Sequence, residues 1–225
     1  MALTYATTLS AGLDLPLKKG FTLYPHTRET VQLDINVSDI KTPEGYCLGI
    51  LPKSGLTFKH GLQAFPRNID IRCANPVEKV LEVTLISYSN EPYTFEDGHS
   101  VAQLVAVKNE KPTVVPLQVS SEVVIPPGEY RSALTQRVVL EHDQCAIVYP
   151  ADAEPINGVV VKFGLVDANF EDPISVCLYN ETSHTITISE NTTVACAVIR
   201  KFAHIEGFPV TEKERGRNGF GSTGK

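Results

Sequence analysis

The chain has 225 residues, 42% hydrophobic and 20% charged, with a formal net charge of −6. This length accommodates one large domain or two small ones around a sizeable core. The acidic balance excludes a protein that coats nucleic acid by neutralising phosphates; no apolar run reaches membrane-spanning length, and MALTYATTLSAG does not read as a signal peptide.

Short β-branched runs separated by Gly, Pro, Asn and Asp dominate, and long stripes of 3.6-residue period are missing. In chain order the expected strands are Thr30–Ile35, Cys47–Leu51, Val80–Tyr88, Ser100–Val107, Gln136–Leu140, Cys145–Tyr149, Gly158–Phe163, Ile174–Leu178, Thr185–Ile188 and Thr193–Arg200. One short helix is expected around Glu78–Leu81. So many short strands at close spacing predict an all-β sandwich or barrel. Five scattered cysteines (Cys47, Cys73, Cys145, Cys177 and Cys196) form no C-x-x-C pair and read as reduced core residues. The six histidines show no zinc spacing.

An internal repeat is visible. Val101-Ala102-Gln103-Leu104-Val105 matches Val194-Ala195-Cys196-Ala197-Val198, and Tyr88-Ser89-Asn90-Glu91 resembles Tyr179-Asn180-Glu181. Pro52 precedes Asp70 by nearly the spacing that separates Pro150 from Asp167. The matches predict two related β-domains, residues 1–112 and 128–208, joined by a Pro-rich linker at 113–127 and followed by a flexible arm at 209–225.

Five segments carry chemistry. Ala11-Gly12-Leu13-Asp14-Leu15 sets an acid after a glycine; it reads either as a surface turn or as a carboxylate holding the waters of a magnesium ion. Pro52-Lys53-Ser54-Gly55 reads either as a hairpin connection or as a hydroxyl and backbone N–H group offered to phosphate. In Asp97-Gly98-His99-Ser100-Val101-Ala102-Gln103, the Gln is polar within an apolar strand and needs a partner for its amide. Gly164-Leu165-Val166-Asp167-Ala168-Asn169-Phe170 places an acid and a ring three residues apart, as a water-orienting carboxylate and sugar-facing ring or as a turn acid and core Phe. The last eleven residues combine Arg215, Arg217, Phe220, Gly221, Ser222 and Thr223; they read either as a flexible glycine-rich tail with no role or as a clasp closing on a nucleoside phosphate. The Gly219–Lys225 match to a P-loop is spurious, because no Ser or Thr follows the Lys and no buried strand precedes it.

Together these segments resemble the five motifs of the dUTPase (dUTP pyrophosphatase) family, with departures at Lys53, Ser100, Phe170 and Glu171. In the common trimeric members the third motif lies between the second and fourth; here its better match, Gly164 to Asp172, lies in the second half. The arrangement resembles the monomeric two-domain members known from herpesviruses, with the domain carrying that motif placed second. The resemblance implies a β-barrel or jelly-roll pair working as a monomer, intracellularly in cytoplasm or nucleus, including that of a virus-infected host cell. It implies no nucleic-acid or membrane partner. One active site between the halves would hydrolyse dUTP to dUMP and pyrophosphate by attack of water on the α-phosphorus. Asp167 would activate the water. Lys53, Ser54, Gly55 and Gln103 would hold phosphates, and the backbone of Gly158–Gly164, including Val161 and Gly164, would read uracil. Phe170 would pack under the deoxyribose. Mg2+ would bind the phosphates and touch Asp14 through water. Arg215, Arg217, Ser222 and Thr223 would meet the γ-phosphate, with Phe220 and Gly221 over the base. Two rival readings are a dUTPase fold that has lost catalysis and serves as a signalling or protein-binding module, and a dCTP deaminase-like enzyme.

Overall fold

In the computed structural model, residues 3–69, 80–152, 156–162, 164–168 and 170–210 are described. The chain forms two compact units. The first runs to Glu110 and resumes at Lys201; the second is Lys111–Arg200.

The first unit contains β1 (Gly12–Pro16), β2 (Phe21–Leu23), β3 (Arg28–Asn36), β4 (Tyr46–Pro52), helix α1 (Ser54–His60), β5 (Leu62–Ala64), β6 (Arg67–Ile69), β7 (Val80–Ser87), β8 (Tyr93–Phe95) and β9 (Ser100–Lys108). The second contains β10 (Thr113–Gln118), β11 (Val123–Ile125), β12 (Tyr130–Leu134), β13 (Gln144–Pro150), β14 (Val159–Val161), β15 (Gly164–Val166), β16 (Ser175–Asn180), β17 (Ile186–Ile188) and most of β18 (Thr193–Ala203). The all-β expectation holds. Alternation builds the cores: Leu33 and Ile35 of β3 face in between exposed neighbours, and Val176 and Leu178 of β16 join the second core.

The two units share one strand plan. β1–β9, β2–β8, β3–β7, β5–β7, β4–β6 and β4–β9 in the first correspond to β10–β18, β11–β17, β12–β16, β14–β16, β13–β15 and β13–β18 in the second. Even the register shift recurs, at Leu15/Pro16 and at Leu117/Gln118. The ladders correct one sequence match. Arg28 opens β3 opposite Ile86, and Tyr130 opens β12 opposite Tyr179, so the counterpart of Tyr179 is Ile86 rather than Tyr88. The Val101/Val194 and Pro52/Pro150 matches agree with the ladders.

Three local expectations differ from the structure. Residues 113–127, expected as a linker, contain β10 and β11; Leu117 and Ile125 are fully buried in the second core. Gln136–Leu140 is not a strand. The Gln136 side chain takes over strand-like bonding, accepting from Gln118 N–H and donating to the Pro116 carbonyl, while Val138 is buried and Val139 exposed. The expected helix near Glu78–Leu81 is replaced, where described, by the start of β7, and the only α-helix among the described residues is Ser54–His60. That helix buries Leu56 and Thr57, carries Lys59 and His60 in its last turn and ends at Gly61, whose φ of 65° admits the left-handed stop.

Candidate active site

In the first unit, the β1–β9 register sets Asp14 directly opposite Gln103. Gln103 Nε2 donates to Asp14 Oδ1 at 3.2 Å, and Lys53 Nζ donates to Asp14 Oδ2 at 2.8 Å. The ion pair is largely enclosed, with Lys53 and Asp14 side chains 10% and 18% exposed. A pair so placed is worth more than a surface bridge, because solvent screens it less. Lys53 reaches Asp14 from the end of β4, where Pro52 pairs with Ala102 of β9. It is also the N-cap of α1 and makes no side-chain cap bond, because an ammonium has no lone pair to accept the helix N–H groups.

Gly12 makes the Gln103 contact possible. A Cβ there would lie 2.9 Å from Gln103 Cβ and 3.0 Å from its Cδ. The glycine of the first motif thus has a packing reason: the Gln side chain lies across it to reach Asp14. Ser54 and Gly55 open α1, half-buried, and the Leu56 and Thr57 N–H groups both donate to the Lys53 carbonyl, at 3.2 and 3.3 Å. Thr57 Oγ1, buried, donates to the Leu62 carbonyl at 3.2 Å and ties the helix to β5.

In the second unit, β14 and β15 do not pair with each other. β14 pairs with β16, with Val161 opposite Leu178, and β15 pairs with β13, with Val166 opposite Ala146. The expected Gly158–Gly164 hairpin is therefore two short strands in different ladders. Val161 is buried in the core, and Lys162 N–H donates to the Cys177 carbonyl at 2.9 Å. Gly164 starts β15, and Asp167 follows it immediately, 5% exposed. The Asp167 carbonyl accepts the Phe170 N–H at 3.1 Å, a tight turn after the strand. Phe170 is partly buried against the second core. Arg215, Arg217, Phe220, Gly221, Ser222 and Thr223 lie outside the described residues, as do Asp70, Cys73 and Asn169.

Sequence reasoning identified Asp14 and Gln103 separately but not their contact, because β1 was not expected as a strand. Leu13 and Leu15 flanking Asp14 are the alternation that would have revealed it. Among the described residues no three His, Cys, Asp or Glu side chains converge on a metal position. Asp14 fits contact through water: its Oδ2 accepts from Lys53 and its Oδ1 from Gln103, and each oxygen keeps a second lone pair. Four cysteines, Cys47, Cys145, Cys177 and Cys196, are free; burial pushes the Cys145 and Cys177 thiols up to about 12. Among the described residues no helix is long and apolar enough to cross a membrane.

The sequence profile of the dUTPase family matches this chain twice, over residues 1–120 and 115–224. A deoxyuridine 5'-triphosphate nucleotidohydrolase of Finegoldia magna is 30% identical over 124 residues, covering 52% of this chain and 80% of the relative. One from Cytophaga hutchinsonii is 34% identical over 110 residues, covering 47% of this chain and 67% of the relative. A 2'-deoxycytidine 5'-triphosphate deaminase structure from Agrobacterium tumefaciens superposes with a TM-score of 0.66 at 12% identity, over 85% of this chain and 90% of that one, a likeness of fold alone. The chain belongs to the dUTPase family, in a form that holds two copies of the family's domain.

Proposed function

We propose that this protein hydrolyses dUTP to dUMP and pyrophosphate, so limiting dUTP levels. The observation that carries the reading is the enclosed Asp14–Lys53–Gln103 constellation beside Ser54, in a chain matched end to end by the dUTPase profile. Ser54, Gly55 and Gln103 hold phosphate oxygens, and Lys53 contributes positive charge while fixing Asp14. Magnesium, when bound to the phosphates, neutralises part of their charge, with Asp14 contacting its water. Asp167 accepts a proton from the attacking water and orients it toward the α-phosphorus, which then releases pyrophosphate. Its enclosure suits that role, since a buried carboxylate is held in one orientation. Val161 and Gly164 offer backbone groups to uracil, and a mismatched base leaves buried polar groups unpaired at about 1–3 kcal/mol each. Phe170 faces the deoxyribose. Arg215, Arg217, Phe220, Gly221, Ser222 and Thr223 close on the nucleotide.

Chromatography of dUTP, dCTP and UTP after incubation with enzyme and Mg2+ tests the substrate. The expected result is dUMP and pyrophosphate from dUTP alone. Ammonia from dCTP would establish the deaminase reading, and no turnover at all would favour the signalling module. The protein acts as a monomer inside the cell, with free thiols suited to that compartment. Mixing Asp167→Asn protein with Ser54→Ala protein then restores no activity. Recovery in the mixture, or a stable trimer in light scattering, would overturn the monomer.

A further inference from the structure

Where the family pattern has Asp-Arg in its fourth motif, this chain has His99-Ser100. His99 sits immediately before β9, fixed by Leu17 N–H donating to its carbonyl at 2.9 Å. The β4–β9 ladder ends with Pro52 opposite Ala102, so Lys53 emerges alongside the start of β9 where His99 lies. His60 closes the helix that Ser54 opens. The two imidazoles are bridged by one ring: His60 lies 4.6 Å from Tyr93, and Tyr93 lies 6.2 Å from His99, edge to face. Phe95 packs edge to face against His99 at 5.3 Å and against Tyr93 at 4.7 Å, so the two rings stand side by side against the imidazole. Lys53 thus stands at the start of α1 and His60 at its end, and the charge of both reaches His99.

We propose that His99, assisted by His60, is a further phosphate-positioning residue that takes up a proton when a nucleoside polyphosphate binds beside Lys53. The inference rests on the reading of Lys53 and Ser54 as phosphate-binding residues. Asp14 is paired to Lys53, and Glu96 is the carboxylate whose charge favours the His99 imidazolium. Burial, then Lys53, holds His99 below the usual histidine range; Glu96 opposes this and His60 adds to it. Burial and Lys59 lower His60 in the same direction. The Asp97 carboxylate is engaged by the Gly20 N–H at 2.7 Å. Both imidazoles are therefore mostly neutral near pH 7. A polyphosphate reverses the local field, removes the penalty on the imidazolium, and gains a charge-assisted contact from the proton it draws in.

Calorimetry with the magnesium complex of α,β-imido-dUTP at pH 7, in two buffers of different ionisation enthalpy, counts the protons taken up. We expect about half a proton or more per nucleotide, given a histidine pKa moved across neutrality. His99→Gln should remove at least half of that uptake, His60→Gln a smaller share, and His26→Gln, which alters a histidine bonded instead to Asn90 at 3.0 Å, none. Binding without proton uptake, or an unchanged count in both His99→Gln and His99→Asn, would overturn the inference and leave the dUTPase reading intact. Failure of the analogue to bind at all would overturn the phosphate-site reading, and this inference with it.

Discussion

The two units are the same strand plan carrying different chemistry. Asp14 pairs with Gln103 in β1–β9, and the matching rung of β10–β18 pairs Pro116 with Cys196. At the end of β4 stands Lys53; at the end of β13 stands Ala151, whose N–H donates to the Val194 carbonyl at 3.2 Å. Every polar member of the first constellation is replaced in the second by a residue with no charge to place. The ladder tolerates both, because a strand needs only its backbone bonds and an inward apolar set, both of which survive the exchange. Pro116 is accommodated on a terminal strand, where a missing N–H is cheap. The fold thus requires none of Asp14, Lys53 or Gln103. Their presence together, in a partly buried place where a lone charge is costly, is the mark of a site.

The largest break in this comparison is expected at the acids that follow Ile69 and Val166 in the sequence, Asp70 and Asp167. Asp167→Asn should lower kcat by about a thousandfold, within the range for loss of a positioned base, while dUTP binding stays within about threefold. Asp70→Asn, the counterpart change in the first unit, should stay within about threefold of wild type in kcat. Pyrophosphate release measures both. Equal losses would mean that both units bring an acid to catalysis; normal turnover in Asp167→Asn would remove its role.

Next in size is the ion pair. Lys53→Met leaves the Asp14 carboxylate in an enclosed place with the Gln103 amide but no cation beside it. A fully buried pair broken in this way loses about 3–5 kcal/mol, and the partial exposure of both side chains reduces this to roughly 2 kcal/mol. Chemical denaturation should show that loss, together with a raised KM for dUTP. Ala151→Lys in the second unit, which has no Asp14 counterpart, should bring no compensating gain.

Much of this was legible in the residues. The repeat was visible through Val101/Val194 and Pro52/Pro150, and the motif content pointed to the family. The ladders were less legible where strands are three residues long, as in β2, β5, β8 and β11, since such segments are too short to show a period and exist because a partner holds them. The linker expected at 113–127 failed for a related reason: Pro116 and Pro126 read as punctuation, whereas Leu117 and Ile125 between them are core residues. The Asp14–Lys53 contact joins residues far apart in the chain, and only the β4–β9–β1 order brings them together.

A third contrast concerns Lys162, buried in the second unit with its amine 4.9 Å from the centre of the Tyr179 ring. Its counterpart in the first unit is Phe65, whose N–H donates to Thr84 as Lys162 N–H donates to Cys177, and Phe65 is 55% exposed. Burial lowers the Lys162 amine to about 7, while Cys177 and Glu181 pull it back upward. Between that value and the ordinary lysine range the unfolded chain binds the extra proton, so stability rises with pH. The slope is at most about 1.4 kcal/mol per pH unit. It is cleanest between about pH 7 and 8.5, because the buried Cys145 and Cys177 thiols, raised by burial, contribute the opposite slope near the ordinary thiol range. Lys162→Met should flatten the rise and stabilise the protein at pH 7 by about 1–3 kcal/mol. An unchanged pH slope in denaturant midpoints would show that the amine is charged when folded.

The smallest expected effect tests the reason for a glycine. Gly12 and Val114 hold the same rung, opposite Val105 and Val198. Val114 is 56% exposed and faces no long side chain from β18, where Cys196 replaces Gln103. Gly12 lies beneath the Gln103 side chain, and a methyl group there must displace its Cβ or Cδ by several tenths of an ångström. The cheapest relief is rotation of Gln103 away from Asp14, which removes one hydrogen bond to a charged group, about 1.5 kcal/mol. Gly12→Ala should therefore lower fold stability by about 1–1.5 kcal/mol in denaturant midpoints and raise KM for dUTP by about threefold. Adding Gln103→Gly removes the Cβ, Cδ and Nε2 contacts together without restoring the bond, so the double variant should match Gln103→Gly alone. If Gly12→Ala still lowered activity in the Gln103→Gly background, the glycine would serve something other than the path of that side chain.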